Sequence, residues 1–400
     1  MVSALARVGN ETTSVRSTSV NPNLISRTSS QAAKRAPKIR EATFEDYDQI
    51  SALQVEYGRP IKGYEEWKHL WINNPAYTRS CALLPIGWVL ERDDQIVGYL
   101  GNIPLFYELA GRRLLASVAH AWVVHAQYRP YSVMLLDLYF SQKDVELFLN
   151  ATVGPAGFAS FAVFQSLPVP QGQWDRSAFW VTNYRGFLAS WLAMKAVPLA
   201  KPLSYPLAVA PLVKEALSKP VASHSCKTAE LKACKEIDGR FDVFWDTLTK
   251  RNPNVLRSVR SGEILEWHFR YALRNDQAWI VTAGEGPSIS AYGIFLRQDN
   301  PSFALKRIRL VDYQALDGDT AFLSPMLFWA LEKCRTEGID MLETIGFRAD
   351  KSNIITRIAP YKRMLPCWLY FYKTRDRNLA EELSDANLWD PSQFDGDASL

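Results

Sequence analysis

The stretch Ser117-Val118-Ala119-His120-Ala121-Trp122-Val123-Val124-His125 constrains this chain more than any other. It is too apolar to face water on both sides, and its β-branched and aromatic residues at strand length predict a buried strand. Ala126-Gln127-Tyr128-Arg129-Pro130-Tyr131 follows at once, and from Ser132 to Phe140 the apolar spacing becomes that of a helix. A proline at the opening of a helix suits its geometry, although it brings no N–H. A buried strand that passes directly into a helix calls for a sheet covered by helices, so the expected class is mixed α/β (α+β). The same junction is a candidate ligand site. Backbone N–H groups of a first helical turn lack intrahelical acceptors and carry partial positive charge, which suits a pyrophosphate.

The elements around this junction fall in an informative order. Residues 39–43 read as a short strand, and Thr43 with Asp46 three residues on caps a helix carrying Ile50, Leu53 and Val55. Residues 88–91 and 96–100 flank the polar turn Arg92-Asp93-Asp94-Gln95, which predicts a hairpin. Residues 106–109 and 113–118 repeat that pattern around Ala110-Gly111. Beyond the helix at 132–140, residues 145–152 read as a strand and 155–166 as a second short helix.

The second half repeats the first. Glu66-Trp67-Lys68-His69 is echoed by Glu266-Trp267-His268-Phe269, and Trp88 by Trp279 at the head of Ile280-Val281. Gly98-Tyr99 corresponds to Tyr292-Gly293. Trp122 lies 34 residues past Trp88, and Val311 lies 32 past Trp279, which places both on equivalent central strands. The strand at 145–152 finds its counterpart in Met341–Ile345.

Four hundred residues suit two domains, and 48% hydrophobic with 22% charged residues is ordinary globular composition. The formal charge of +4 is unevenly placed. Residues 1–40 carry seven basic side chains against Glu11 alone, leaving 39 basic and 41 acidic residues for the rest. A near-neutral body argues against nucleic acid as a partner. Cys81, Cys226, Cys234, Cys334 and Cys367 are odd in number and lack CxxC spacing, and the five histidines form no HExxH. Neither a disulfide framework nor a metal site is expected, and the reading is a reducing, cytoplasmic protein. Residues 1–37 have no apolar core of signal-peptide length and read as a solvated basic tail, a composition shared with organellar transit peptides. In residues 184–222 lysines and prolines break every apolar run well short of the ~20 residues a membrane span needs. That segment reads as an apolar helical linker, with peripheral membrane contact as its functional alternative.

Strand, helix, antiparallel meander, strand, helix, strand and helix over residues 39–170 resemble the GNAT (GCN5-related N-acetyltransferase) fold. The resemblance implies two tandem GNAT-like domains, at 38–183 and 223–400, each a mixed central sheet flanked by helices. It also implies acetyl-CoA or another acyl-CoA as co-substrate. Gln127-Tyr128-Arg129 looks like the start of the family's Gln/Arg-x-x-Gly-x-Gly/Ala pyrophosphate turn, with Pro130 and Ser132 in place of its glycines. By that resemblance Gln127, Arg129, Ser132, Val133 and Met134 hold the cofactor, with Val123 and Val124 on the strand leading in.

Acyl transfer needs a base for the acceptor's proton and an acid for the leaving thiolate. Phe164 stands where the family usually has a tyrosine, and it cannot donate a proton. His120 and His125, set on opposite strand faces by alternation, and Tyr131 are the remaining catalytic candidates. In the second half the turn Ala315-Leu316-Asp317-Gly318-Asp319-Thr320 is acidic, Thr320 reads as a helix cap, and the domain reads as a degenerate copy that does not bind coenzyme A. Asp312, Tyr313 and Glu343 read there as exposed-strand or sheet-edge residues. The expected activity is acyl-CoA-dependent N- or O-acyl transfer to a small or saccharide-like acceptor. The alternative is a non-catalytic GNAT-fold protein that binds a ligand or partner.

Overall fold

The computed structural model describes residues 36–80, 84–172, 174–197, 231–365 and 369–400. The basic tail up to residue 35, the linker beyond 197 up to residue 222, and Cys81, Cys226 and Cys367 lie outside the described residues. Strand β1 (Lys38–Glu41) leads through a capped turn into α1 (Tyr47–Glu56), where the Thr43 N–H donates to Asp46 at 2.8 Å. Helices α2 (Tyr64–Ile72) and α3 (Pro75–Arg79) follow, then β2 (Gly87–Arg92), β3 (Gln95–Leu109) and β4 (Arg112–Val124). The expected short hairpins are thus fused into two long strands. Helix α4 spans Ser132–Phe140, as its spacing predicts, and precedes β5 (Leu147–Val153), α5 (Pro155–Val163), β6 (Leu167–Pro168), β7 (Arg176–Val181) and α6 (Tyr184–Met194).

The second half repeats the series with β8 (Leu231–Cys234), α7 (Gly239–Arg251), β9 (Arg257–Ser258), α8 (Gly262–Arg274), β10 (Ala278–Ala283), β11 (Ala291–Arg297) and β12 (Arg307–Ala315). Helix α9 (Leu323–Thr336), β13 (Met341–Ile345), α10 (Ala349–Ile358), β14 (Tyr361–Met364), β15 (Leu369–Thr374) and α11 (Arg377–Glu382) complete it. One sheet runs β1-β2-β3-β4-β5-β15-β6, with β9 against β3; the other runs β14-β7-β13-β12-β11-β10-β8. Each is an antiparallel meander joined to one parallel pair, β4 with β5 and β12 with β13. Trp122 and Val311 do fall on equivalent strands, each at a one-residue bulge against the preceding strand.

The sheets do not divide the chain at one point. β7, from the first half, pairs with β13 and β14 of the second sheet, and β15, near the end of the chain, pairs with β5 and β6 of the first. Each half therefore completes the other's sheet. The largest apolar cluster crosses the same boundary, from Trp67, Trp71 and Tyr99 to Trp267, Phe269 and Leu296. The echoed tryptophan helices meet there: Trp267 Nε1 donates to the His69 carbonyl at 3.1 Å, and the His69 ring bonds the Trp267 carbonyl at 2.9 Å. Residues 36–183 expressed alone are expected to lack cooperative unfolding, because β5 would expose an unpaired edge in place of β15. Co-expression with residues 223–400 should restore a single transition, and a sharp independent melt of either piece would contradict this.

Three readings of the second half need correction. Helix α9 begins at Leu323 with Phe322 before it, so Thr320 is not its cap, and the Asp319 carboxylate instead accepts the Ala321 N–H. The turn is also less acidic than its sequence reads, since Asp317 is paired with Arg251 at 2.5 Å. Asp312, Tyr313 and Glu343 are fully buried inside the sheet, because β12 and β13 are its central strands. No helix among the described residues is long and apolar enough to cross a membrane.

Candidate functional site

Parallel pairing between β4 and β5 lasts only three residues, Ala116 with Leu147, Ser117 with Phe148 and Val118 with Leu149. Beyond it β4 runs on to Val124 and β5 to Val153 without partnering each other, so the two strands form the arms of a fork. The cause is local. The bulge in β4 sits at Ala121, whose φ is +51°, and it turns that strand away, while β15 holds β5 from the other side. Both arms carry buried polar atoms: His120 Nδ1 and Trp122 Nε1 on β4, and both amide atoms of Asn150 on β5, have no hydrogen-bond partner among the described residues. Trp122 packs edge-on to Phe161 of α5, with ring centroids 5.9 Å apart.

The structure separates the three catalytic candidates. His120 faces the fork, with Nδ1 3.6 Å from Asp397 Oδ2. His125 lies past the end of β4, where the strict alternation expected for it no longer applies. Its Nδ1 accepts the Gln127 N–H at 3.3 Å, Nε2 lies 3.8 Å from Glu56, and its ring packs near Tyr57 and Tyr128. Tyr131 packs with Trp122 and Phe164 into the apolar cluster on the helix side of the sheet. Phe164 itself packs against Phe140, the two rings tilted with centroids 5.2 Å apart. Val123 is buried and Val124 half-buried on β4. Gln127, Arg129, Val133 and Met134 are exposed around the turn, and Ser132 is half-buried, its N–H spent on the Arg129 carbonyl.

A segment that periodicity could not flag reaches the fork from the far end of the chain. Residues 389–396 are all buried. Phe394 N–H donates to the Val311 carbonyl at 3.1 Å, at the bulge of β12, and Ser392 Oγ donates to Asp312 at 2.9 Å. The segment then crosses to β5, where a side chain at Gly396 would meet Ala151 at 2.7 Å, and Thr152 Oγ1 donates to Asp397 at 3.1 Å. It therefore fills the second fork, between β12 and β13, and ends beside His120 in the first. Nothing in the periodicity of the sequence announces this role.

The fold as a whole, with its two mixed sheets, is similar to that of solved structures. The chain is similar to Saccharomyces cerevisiae N-myristoyltransferase with bound myristoyl-CoA, with TM-score 0.56 and 12% identity over 93% of this chain and 92% of that one. The chain has the GNAT fold. A second N-myristoyltransferase structure from the same yeast, with myristoyl-CoA and inhibitors, gives TM-score 0.54 and 13% identity over 88% of this chain and 81% of that one. A GCN5-related N-acetyltransferase from Kribbella flavida gives 0.50 and 9% over 86% and 72%. No protein-family model and no curated protein sequence matches the chain. Helix α4 follows the end of β4, the arm of the fork that carries His120 and Trp122.

Proposed function

We propose that this GNAT-fold protein transfers an acyl group from acyl-coenzyme A to an amine or hydroxyl of a small acceptor, saccharides included. The observation that carries the reading is the fork with its unbonded polar atoms on both arms. Buried polar groups are nearly always hydrogen-bonded, so His120, Trp122 and Asn150 call for a polar ligand threaded between β4 and β5. An amide-bearing chain such as pantetheine fits that demand. N-Myristoyltransferase, similar over nearly the whole chain, was solved with myristoyl-CoA bound, which supports acyl-CoA as the donor class.

In this reading the donor supplies an activated thioester carbonyl. Arg129, Gln127 and the start of α4 at Ser132, Val133 and Met134 hold the pyrophosphate, Ser132 through its hydroxyl because its N–H is spent on the Arg129 carbonyl, and Val123 and Val124 flank the chain that leads from it. His120 takes the acceptor's proton at Nε2, and Asp397, 3.6 Å from Nδ1, stabilises the imidazolium that results. Tyr131 is the phenol left to return a proton to the leaving sulfur, since Phe164 cannot. His125, which caps the turn, positions Gln127.

Calorimetric titration with coenzyme A tests the binding half. Arg129→Ala is expected to weaken affinity about 10- to 100-fold, the range for a hydrogen bond to a charged group. Ser132→Asp should weaken it further, since it sets a carboxylate against the phosphates while helping the helix N-terminus. Free-thiol release from acetyl-CoA and myristoyl-CoA, assayed in parallel with amine and hydroxyl acceptors, tests turnover. His120→Gln should lower kcat by roughly 10²–10⁴-fold with coenzyme A affinity unchanged. Phe164, packed where a proton donor is usual, favours a second reading in which the protein binds coenzyme A without turning it over. Tight binding with no thiol release from any donor would select that reading.

A further inference from the structure

We propose that the mouth of the second fork is a binding site for a small oxyanion, a carboxylate or phosphate group. An enclosed cavity of about 110 Å³ lies there, between the end of β12 and the start of α10. That volume holds several waters and has room for such a group, but not for a nucleotide. Its lining includes Asn252, Arg257, Arg348, Lys351 and Asp390. Arg257 is only 6% exposed, yet its Nε has no hydrogen-bond partner among the described residues, and neither has the buried Asn252 Nδ2. Two unspent donors thus belong to one small cavity.

Charge points the same way. Arg348 is held by Asp350 through two bonds of 3.0 and 2.7 Å, and Asp317 by Arg251, so these pairs neutralise themselves. Arg257 and Lys351 then share the single carboxylate of Asp390. Lys351 Nζ takes it at 2.7 Å, while Arg257 Nε stands 3.8 Å away, close enough to be attracted and too far to hydrogen-bond. Inside the cavity one positive charge is left over, and the nearest surplus carboxylate, Asp395, is already hydrogen-bonded to Arg260, so no acid reaches the Arg257 Nε to satisfy it. Burial holds the Arg257 guanidinium below its ordinary value, and Asp390 only partly offsets it. The site is separate from the fork that holds His120, and does not depend on acyl transfer.

Thermal melting of the full chain at constant ionic strength tests it, with chloride, inorganic phosphate and acetate as probes. Phosphate or acetate should raise Tm saturably, by about 2 °C, and chloride should not. A larger shift with phosphate assigns a phosphoryl group, and a larger one with acetate a carboxylate. Arg257→Gln should abolish the shift. Asn252→Asp supplies the missing negative charge from within, so it should raise Tm without added anion and remove the anion response. This variant also excludes phosphate acting at the turn before α4, which it leaves intact. Phosphate and acetate no better than chloride, or an undiminished response in Asn252→Asp, overturns the proposal.

Discussion

Arg260→Met is expected to destabilise the protein by about 3–5 kcal/mol, the cost of leaving buried charges unpaired. Arg260 is 1% exposed, and its guanidinium donates to Asp312 at 2.8 Å, Asp395 at 3.0 Å, Ser392 at 3.2 Å and the Ser258 carbonyl at 2.8 Å. Its plane also lies 4.6 Å from the ring centre of Phe394. Burial alone would push the Asp312 carboxyl up, but the adjacent guanidinium holds it below the usual carboxylate range. Asp395, buried beside that second carboxylate, is pushed up. One cation therefore serves two acids, and methionine would strand both. The consequence reaches function, because this network ties the buried C-terminal segment to β9 and β12. Urea unfolding measures the loss, and a midpoint change worth less than about 1 kcal/mol would show that the network contributes little. Replacing Asp312 and Asp395 by Asn in the same background should recover part of the loss, since the stranded charges are then gone.

Stability is expected to fall as pH drops from about 6.5, well before the carboxylates titrate, and His268→Gln should abolish that fall. His268 is half-buried on α8, stacked on Phe394 at 4.4 Å, with Nε2 bonded to Ser399 at 2.8 Å and the buried Nδ1 unbonded among the described residues. Burial pulls its pKa down to about 3; Asp312 opposes this, while Lys62 and Arg260 reinforce it. The sign follows from linkage. Above the unfolded value of about 6.5 the ring is neutral in both states and adds nothing. Between about 6.5 and 3 the unfolded chain takes up a proton that the folded chain refuses, so about 1.4 kcal/mol is lost per pH unit. Asp390, held at about 2 chiefly by Lys351 against its burial, adds a further loss only from about pH 4 downward. Urea titrations at pH 7 and pH 4.5 should therefore differ by about 2–3 kcal/mol in the parent and much less in His268→Gln. Equal slopes in the two proteins would rule out His268 as the source.

Local structure was legible where one physical rule governed a segment. Helix α4 follows from apolar spacing, the start of α1 from the Thr43 and Asp46 pair, and the hairpin β2–β3 from a polar turn between two apolar runs. The likeness of the halves was legible too, because buried tryptophans such as Trp88 and Trp279 keep their place when a fold is repeated. The candidate site was only half legible. The turn at Gln127–Ser132 and His120 stand out by type and neighbourhood. Asn150 does not, because a polar residue on a strand normally signals a solvated face.

What the sequence determined by itself is the order of elements, the mixed α/β class and the repeat, since periodicity, capping and burial act over a few residues. Only the tertiary structure decided which sheet β7 and β15 enter. Both are short apolar strands, and strand pairing depends on which edge is free across the whole assembled chain. It likewise decided that Asp390 and Asp395 belong to the interior and that Asp397 sits half-buried against β5. A carboxylate far along the chain looks solvated until Lys351, Arg260 and Thr152, distant in sequence, are brought to hydrogen-bonding distance around it. Ion pairing of that kind is a property of positions in space, which no local pattern of residues encodes.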